Sequence, residues 1–142
     1  MFANGFLNNI EKTSMTKTYK MPLLLAFYNH GNINLKVDEE MIFQSFSEFY
    51  TKPSNAVDLM RHGSTKNYKD FNKKDYLRIS ENPIKALLNS AEDFFYRDRL
   101  YFCLNDDLGE SIKNSIFIAH LKDIIDYRTR RFYKERLEKL EK

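Results

Sequence analysis

The chain has one cysteine, three prolines, four glycines and no tryptophan among its 142 residues. With Cys103 alone there is no internal disulfide, which points to a reducing, cytoplasmic setting. So few chain breakers argue for an ordered, mostly helical polypeptide. Long hydrophobic runs are missing as well: nothing approaches the roughly 20 apolar residues of a membrane span. The polar start, Met1 to Asn9, lacks the apolar stretch of a signal peptide. Charge of one sign is scarce, since a net +3 and a pI near 8.9 attract nucleic acid or an anionic membrane only weakly. Local clusters must therefore carry any claim of that kind. The three histidines, His30, His62 and His120, show no metal-ligand spacing and no cysteine pair joins them. No nucleophile and base can be paired around Ser14, Ser64 or Ser80. No catalysis, metal or cofactor is expected of this segment.

What is plentiful is aromatic carbon, with twelve Phe and nine Tyr making 15% of the chain. That supplies a single core for a chain of one-domain size. Residues 1 to 15 read as a leader, loose or partly helical, with Phe2, Phe6, Leu7 and Ile10 as one apolar face. Residues 16 to 142 read as one domain. Leu24, Phe27 and Tyr28 fall at i, i+3 and i+4, widened by Leu23 and Ala26, and Gly31 is expected to close that helix. Lys17 and Lys20 sit at its start, where unpaired N–H groups suit an anion such as a phosphate; the alternative is a solvated first turn.

Ile33, Leu35 and Val37 alternate as a short strand. Asp38 caps a second helix with Glu39 and Glu40 in its first turn, Ile42, Phe46, Phe49 and Tyr50 on its buried face, and Pro53 at its end. Residues 53 to about 81 form an irregular insertion. Asn82-Pro83 is expected to open the next helix in the cap-then-first-position arrangement, burying Ile84, Leu87, Leu88 and Ala91. Phe94 to Leu104 reads as a β-hairpin with Arg97-Asp98 between the two aromatic runs; that pair is a poor two-residue turn, so a longer loop is expected. From about Glu110 one long helix, or two, carries the stripe Ile112, Ile116, Phe117, Leu121, Ile124, Ile125, Arg128 and Phe132 and runs beyond the core. The fold class is mainly α (α+β): helix, short strand, helix, irregular segment, helix, hairpin, helix, a winged-helix-like plan with extra length.

Two segments concentrate basic charge. The insertion holds Arg61, Lys66, Lys69, Lys73, Lys74 and Arg78 against Asp70 and Asp75, a net of +4, with Tyr68, Phe71 and Tyr76 interleaved. Such a patch suits phosphate contact and base stacking. From Lys113 to Lys142 nine basic and five acidic side chains again give +4, with Arg128, Arg130 and Arg131 at its densest part. Arg97 and Arg99 lie where a wing would touch a nucleic-acid backbone. The plain alternatives are a solvated loop, a charged hairpin and a helix stabilised by its own i,i+4 ion pairs.

The opening Thr16-Lys17-Thr18-Tyr19-Lys20-Met21-Pro22-Leu23-Leu24-Leu25, the Gly31 stop, the Phe-rich second helix, the Asn82-Pro83 helix, the aromatic hairpin and the last helix with Tyr127-Arg128 together resemble an accessory domain of certain bacterial DEAD/DEAH-type superfamily 2 helicases. A similar pattern precedes the HNH nuclease domain of some restriction-type endonucleases. The resemblance covers about residues 13 to 133. It implies a part borrowed from DNA-processing enzymes; the two +4 clusters are expected to bind DNA weakly and without sequence preference, or the domain docks on an attached motor or nuclease domain. No phosphate-binding Gly-Lys loop, acidic ATPase motif or HNH cluster stands in these residues, so neither ATP hydrolysis nor DNA cleavage carries over. The isolated chain is expected to be a monomer. A protein-interaction or dimerisation module without nucleic-acid binding is the alternative reading.

Overall fold

The computed structural model describes residues 2–60 and 62–141, with side chains as far as residue 138. The leader is ordered: α1 spans Phe2–Lys12 and buries Phe6, Leu7 and Ile10. Its aromatic partners lie far along the chain, Phe6 meeting Phe94, Phe95 and Phe117 at ring-centroid distances of 5.6, 5.9 and 6.2 Å. The next helix, α2, is short, Lys20–Leu25, because the chain leaves it to make a tight hairpin. In that hairpin β1 (Tyr28–Asn29) pairs with β2 (Asn32–Ile33) around His30 and Gly31, whose φ angles of 51° and 83° are both positive. Gly31 therefore serves a type I′ hairpin turn and does not stop a helix. The expected strand from Ile33 to Val37 breaks into β2 and β3 (Lys36–Val37).

The second helix follows its sequence signals. In α3 (Glu39–Thr51) the Asp38 side chain accepts from the Met41 N–H, and Ile42, Phe46, Phe49 and Tyr50 are the buried residues. Pro53 ends it by opening another helix, α4 (Pro53–Met60), in a stretch that reads as irregular. The largest departure is α5, which spans Lys73–Ser90 and so begins ten residues before Pro83. Its start is a capping box: the Asn72 side chain accepts from the Asp75 N–H while Asp75 accepts from the Asn72 N–H. Pro83 costs the helix one backbone hydrogen bond, and α5 continues through it because Ile79, Ser80, Pro83, Ile84 and Leu87 all face the core.

The chain then makes β4 (Phe95–Asp98) and β5 (Tyr101–Leu104), antiparallel, with Asp98 opposite Tyr101. The turn is two residues, Arg99-Leu100, not a longer loop at Arg97-Asp98. Strand β3 pairs with β5, giving the order β3-β5-β4. Mainly helical, with this small sheet and hairpin, the domain follows a winged-helix plan in which α2, α3 and α5 are the three helices and β4–β5 the wing. Phe95 and Phe102 stack across the hairpin at 5.3 Å with their planes 3° apart, and Phe27 of the α2–β1 corner meets Phe102 at 5.7 Å. Two short 3₁₀ turns, Asp106–Leu108 and Ser111–Lys113, lead into α6 (Ser115–Glu141), capped by Asn114. Phe117, Leu121, Ile124 and Ile125 of α6 are buried, whereas Ile116, assigned to the same stripe by its spacing, is 76% exposed.

Candidate nucleic-acid interface

The extended α5 creates a surface that a helix starting at Pro83 would not have. Its buried residues, Tyr76, Ile79, Ser80, Pro83, Ile84 and Leu87, recur every three or four positions. The opposite face carries Lys74, Arg78, Asn82, Lys85 and Asn89, all exposed. Every one of these side chains can donate hydrogen bonds, and three are cationic. Glu81 lies at the edge of the stripe and accepts from Arg97 of β4 at 3.2 Å. That exposed pair links the hairpin to the helix. On the far side of the sheet Lys36 of β3 meets Asp98 at 3.5 Å. At the tip, Arg99 has a φ of 56° and Leu100 is 68% exposed.

The expected site residues divide clearly. Lys74 and Arg78 join the α5 face; Arg78 also approaches Asp75 at 4.0 Å and lies 5.9 Å over the Phe71 ring. Lys73 turns to Glu40 of α3 at 2.7 Å. Lys66 and Lys69 are exposed in the connection before α5, where Tyr68–Asp70 makes one 3₁₀ turn. Arg61 lies outside the described residues. The interleaved aromatics are packed: Tyr76 is buried, with Phe43 at 6.0 Å and Phe71 at 5.4 Å. They hold the connection down and do not form a row of open stacking rings. On α6, Arg130 is exposed and Arg131 is engaged by Glu135 at 3.0 Å and by the Tyr127 hydroxyl at 3.0 Å. Asn82, Lys85 and Asn89 are not among the expected site residues, and a helix that starts at Pro83 leaves Lys74 and Arg78 off the face they share. The signal for the earlier start is the Asn72…Asp75 box, which adds Lys74 and Arg78 to the same face.

Two expected contacts are corrected. Lys20 is buried at 8% exposure, and its ammonium donates to the Thr13 hydroxyl at 2.8 Å and the Ser14 carbonyl at 2.7 Å. Arg128 donates to the carbonyls of Ile10 and Thr13 at 3.0 and 2.6 Å. Arg128 thus closes the C-terminal end of α1, whose last carbonyls lack helical partners and carry partial negative charge, and Lys20 fastens the segment that follows it. Burial lowers the pKa of Lys20, with Arg128 adding to the effect. Lys17 remains partly exposed, its ammonium 5.3 Å from the centre of the Tyr19 ring.

The rest of the opening motif is a strap. The Thr18 N–H and hydroxyl both donate to Asp58 Oδ2, at 2.7 and 2.8 Å, and the same hydroxyl oxygen lies 3.0 Å from Tyr50 Oη and 2.8 Å from Tyr133 Oη. Tyr133 donates to the Asn55 carbonyl at 2.7 Å, and Arg136 donates to the Thr16 carbonyl at 2.6 Å. The far part of α6 is thereby tied to α3, α4 and residues 16–18. Burial pushes the Tyr19 phenol up to about 12, with Asp58 adding, and raises Tyr50 and Tyr133 chiefly by desolvation. Near neutral pH these phenols are protonated in both states. Above about pH 10 the unfolded chain releases protons that the folded chain holds, so stability falls as pH rises through the folded values. Lys20 acts in the opposite sense, but one lysine faces several tyrosines. The urea midpoint should stay level from pH 8 to about 10 and drop steeply towards 12; a flat midpoint to pH 12 would contradict the buried phenols.

A second surface runs along α6. An open groove of about 980 Å³ lies between α6 and the end of α1, lined in part by Met15, Ile116, His120, Tyr127 and Phe132. Ile116 and Tyr127 are 76% and 53% exposed. Among the described residues no cluster of three or more His, Cys, Asp or Glu side chains is placed to hold a metal ion, and no helix is long and apolar enough to cross a membrane. No family model matches the chain, and no curated protein or solved structure is detectably similar to it.

Proposed function

We propose that this domain is a non-catalytic DNA-binding accessory module, as its resemblance to the accessory domains of DEAD/DEAH-type helicases and HNH endonucleases implies. The outer face of α5 sits in the major groove of a duplex and the β4–β5 wing lies against the adjoining backbone. The observation that carries this reading is the stripe Lys74, Arg78, Asn82, Lys85 and Asn89 opposite the buried face of α5, joined to the wing through Glu81 and Arg97. Phosphate contacts from the cations supply most of the affinity, which is why it is modest and depends on salt. Lys66 and Lys69 flank the start of α5 and extend the basic surface.

The location is tested by amide exchange on the full chain with and without a 20-base-pair duplex. Exchange should slow in α5 and at residues 99–101, while α6 between residues 116 and 131 stays unchanged. Protection confined to α6 would move the contact to the other +4 cluster and overturn the placement. A second reading has its own observation: the α6 groove, with Ile116 and Tyr127 open to solvent, fits a seat for an attached motor or nuclease domain.

A further inference from the structure

Lys20 and Arg128 are neighbouring cations that the fold leaves without an anion. Lys20 is only 8% exposed, and its ammonium donates to two neutral oxygens, Thr13 Oγ1 at 2.8 Å and the Ser14 carbonyl at 2.7 Å. One of its three N–H donors has no partner among the described residues. Arg128 shares Thr13 with it, donating to the carbonyls of Thr13 and Ile10, and lies close enough to lower the Lys20 pKa beyond the effect of burial. Among the described residues no ion pair takes in either cation. A lysine this deeply buried is ordinarily paired with an acid. Here neutral oxygens stand in its place.

The surroundings of Lys20 have room for the missing charge. A pocket of about 370 Å³, within the range of small-molecule sites, lies between residues 14–20 and the middle of α5, and Lys20 lines it. Ser14, Thr16, Lys17 and Asn82 add hydroxyl, ammonium and amide donors to the lining, which contains no acidic side chain. The Lys17 ammonium is 5.3 Å from the centre of the Tyr19 ring, itself part of the wall. The two lysines together match the two charges of a phosphate monoester, whereas a phosphodiester would neutralise only one. Met15, Pro83 and Ala86 line the same pocket and offer an apolar surface to whatever group the phosphate is attached to.

We propose that the pocket between residues 14–20 and α5 binds a phosphate monoester, its dianion held between Lys17 and Lys20 with Asn82 as a further donor. A free mononucleotide and the 5′-phosphate end of a nucleic-acid strand share that chemistry. The site goes beyond the duplex-binding reading of α5 and does not depend on it, because the buried Lys20 belongs to the pocket and not to the exposed face of the helix.

Thermal unfolding of the full chain at pH 8, followed by circular dichroism, tests the site. Inorganic phosphate at 10 mM should raise the melting temperature by about 4–6 °C over chloride at equal ionic strength, as a dissociation constant near 1 mM implies. Lys17→Met and Lys20→Met should each weaken binding about tenfold and cut the rise to about 1–2 °C. Lys113→Ala, a surface lysine that does not line the pocket, should keep the full rise. General stabilisation by the salt acts on all the variants alike. If Lys20→Met does not fold, Lys17→Met carries the comparison, because Lys17 is partly exposed. The source is read by comparing AMP with adenosine, and a 5′-phosphorylated ten-base single strand with its 5′-hydroxyl twin: the pair with the larger gain from the phosphate names it. No rise with phosphate over chloride, the same rise in Lys17→Met as in wild type, or no gain from the phosphate in either pair would overturn the proposal, and none of these results bears on duplex binding by α5.

Discussion

Asp58→Ala should destabilise the domain by about 2–4 kcal/mol, a large part of what holds a chain of this size folded. Asp58 is 2% exposed, and its Oδ2 accepts from both the backbone N–H and the hydroxyl of Thr18. Removing the carboxylate strands a buried N–H, and each such donor costs about 1–3 kcal/mol. It also leaves the Thr18 hydroxyl, the point at which Tyr50 and Tyr133 meet, without the acceptor that orients it. Urea unfolding followed by circular dichroism gives the number directly. A loss under about 1 kcal/mol would show that the Thr18 contacts close some other way and that the opening motif is not a structural strap. The same contacts join α3, α4 and α6 to the chain before α2.

The triple variant Lys74→Ala, Arg78→Ala, Lys85→Ala should bind a duplex about 100-fold more weakly than wild type. Each side chain is exposed on the outer face of α5, and each phosphate or base-edge contact is worth on the order of 1 kcal/mol or more. Three such losses give about two decades. Folding is a poor explanation for that change, because alanine favours the helix and exposed substitutions move stability by about 0.5 kcal/mol or less each. Arg78 also lies over the Phe71 ring at 5.9 Å, so a slight loosening of residues 68–72 is expected and the melting temperature should be recorded with the affinity.

How far the sequence could be read depended on the range of the interaction. Asp38 and the face Ile42, Phe46, Phe49 and Tyr50 were legible, because a cap and a helical period are written within one element. The hairpin and the mainly α class were legible for the same reason. At Asn82-Pro83 a strong local start signal competed with a stripe of core contacts, and the contacts won, so Lys74 and Arg78 read as part of an irregular insertion and not of the helix. The Arg99-Leu100 turn was hidden because it uses a residue that such a turn disfavours. Arg128 reads as a free cation since nothing local shows that the Thr13 carbonyl, 115 residues away, will take its charge, and Lys20 reads as one because its acceptors, Thr13 and Ser14, lie outside its own helix in the segment that folds back beside it. Ile116 obeys the spacing of the buried stripe and still faces solvent, while its neighbour Phe117 in the same first turn packs on Phe6 of α1.

The most direct measurement is fluorescence anisotropy of a labelled 20-base-pair duplex titrated with wild type and with the Lys74, Arg78, Lys85 triple variant at 50, 100 and 200 mM salt. About five phosphate contacts on wild type give a slope of log K against log salt near −4 to −5, a fall of about 10²–10³ across that range. The triple variant should lose about 100-fold at 50 mM and flatten the slope by about 3, one unit for each cation removed. Salt-independent binding, a triple variant that binds and responds to salt as wild type does, or no binding at 50 mM would contradict α5 as the surface this domain presents to DNA.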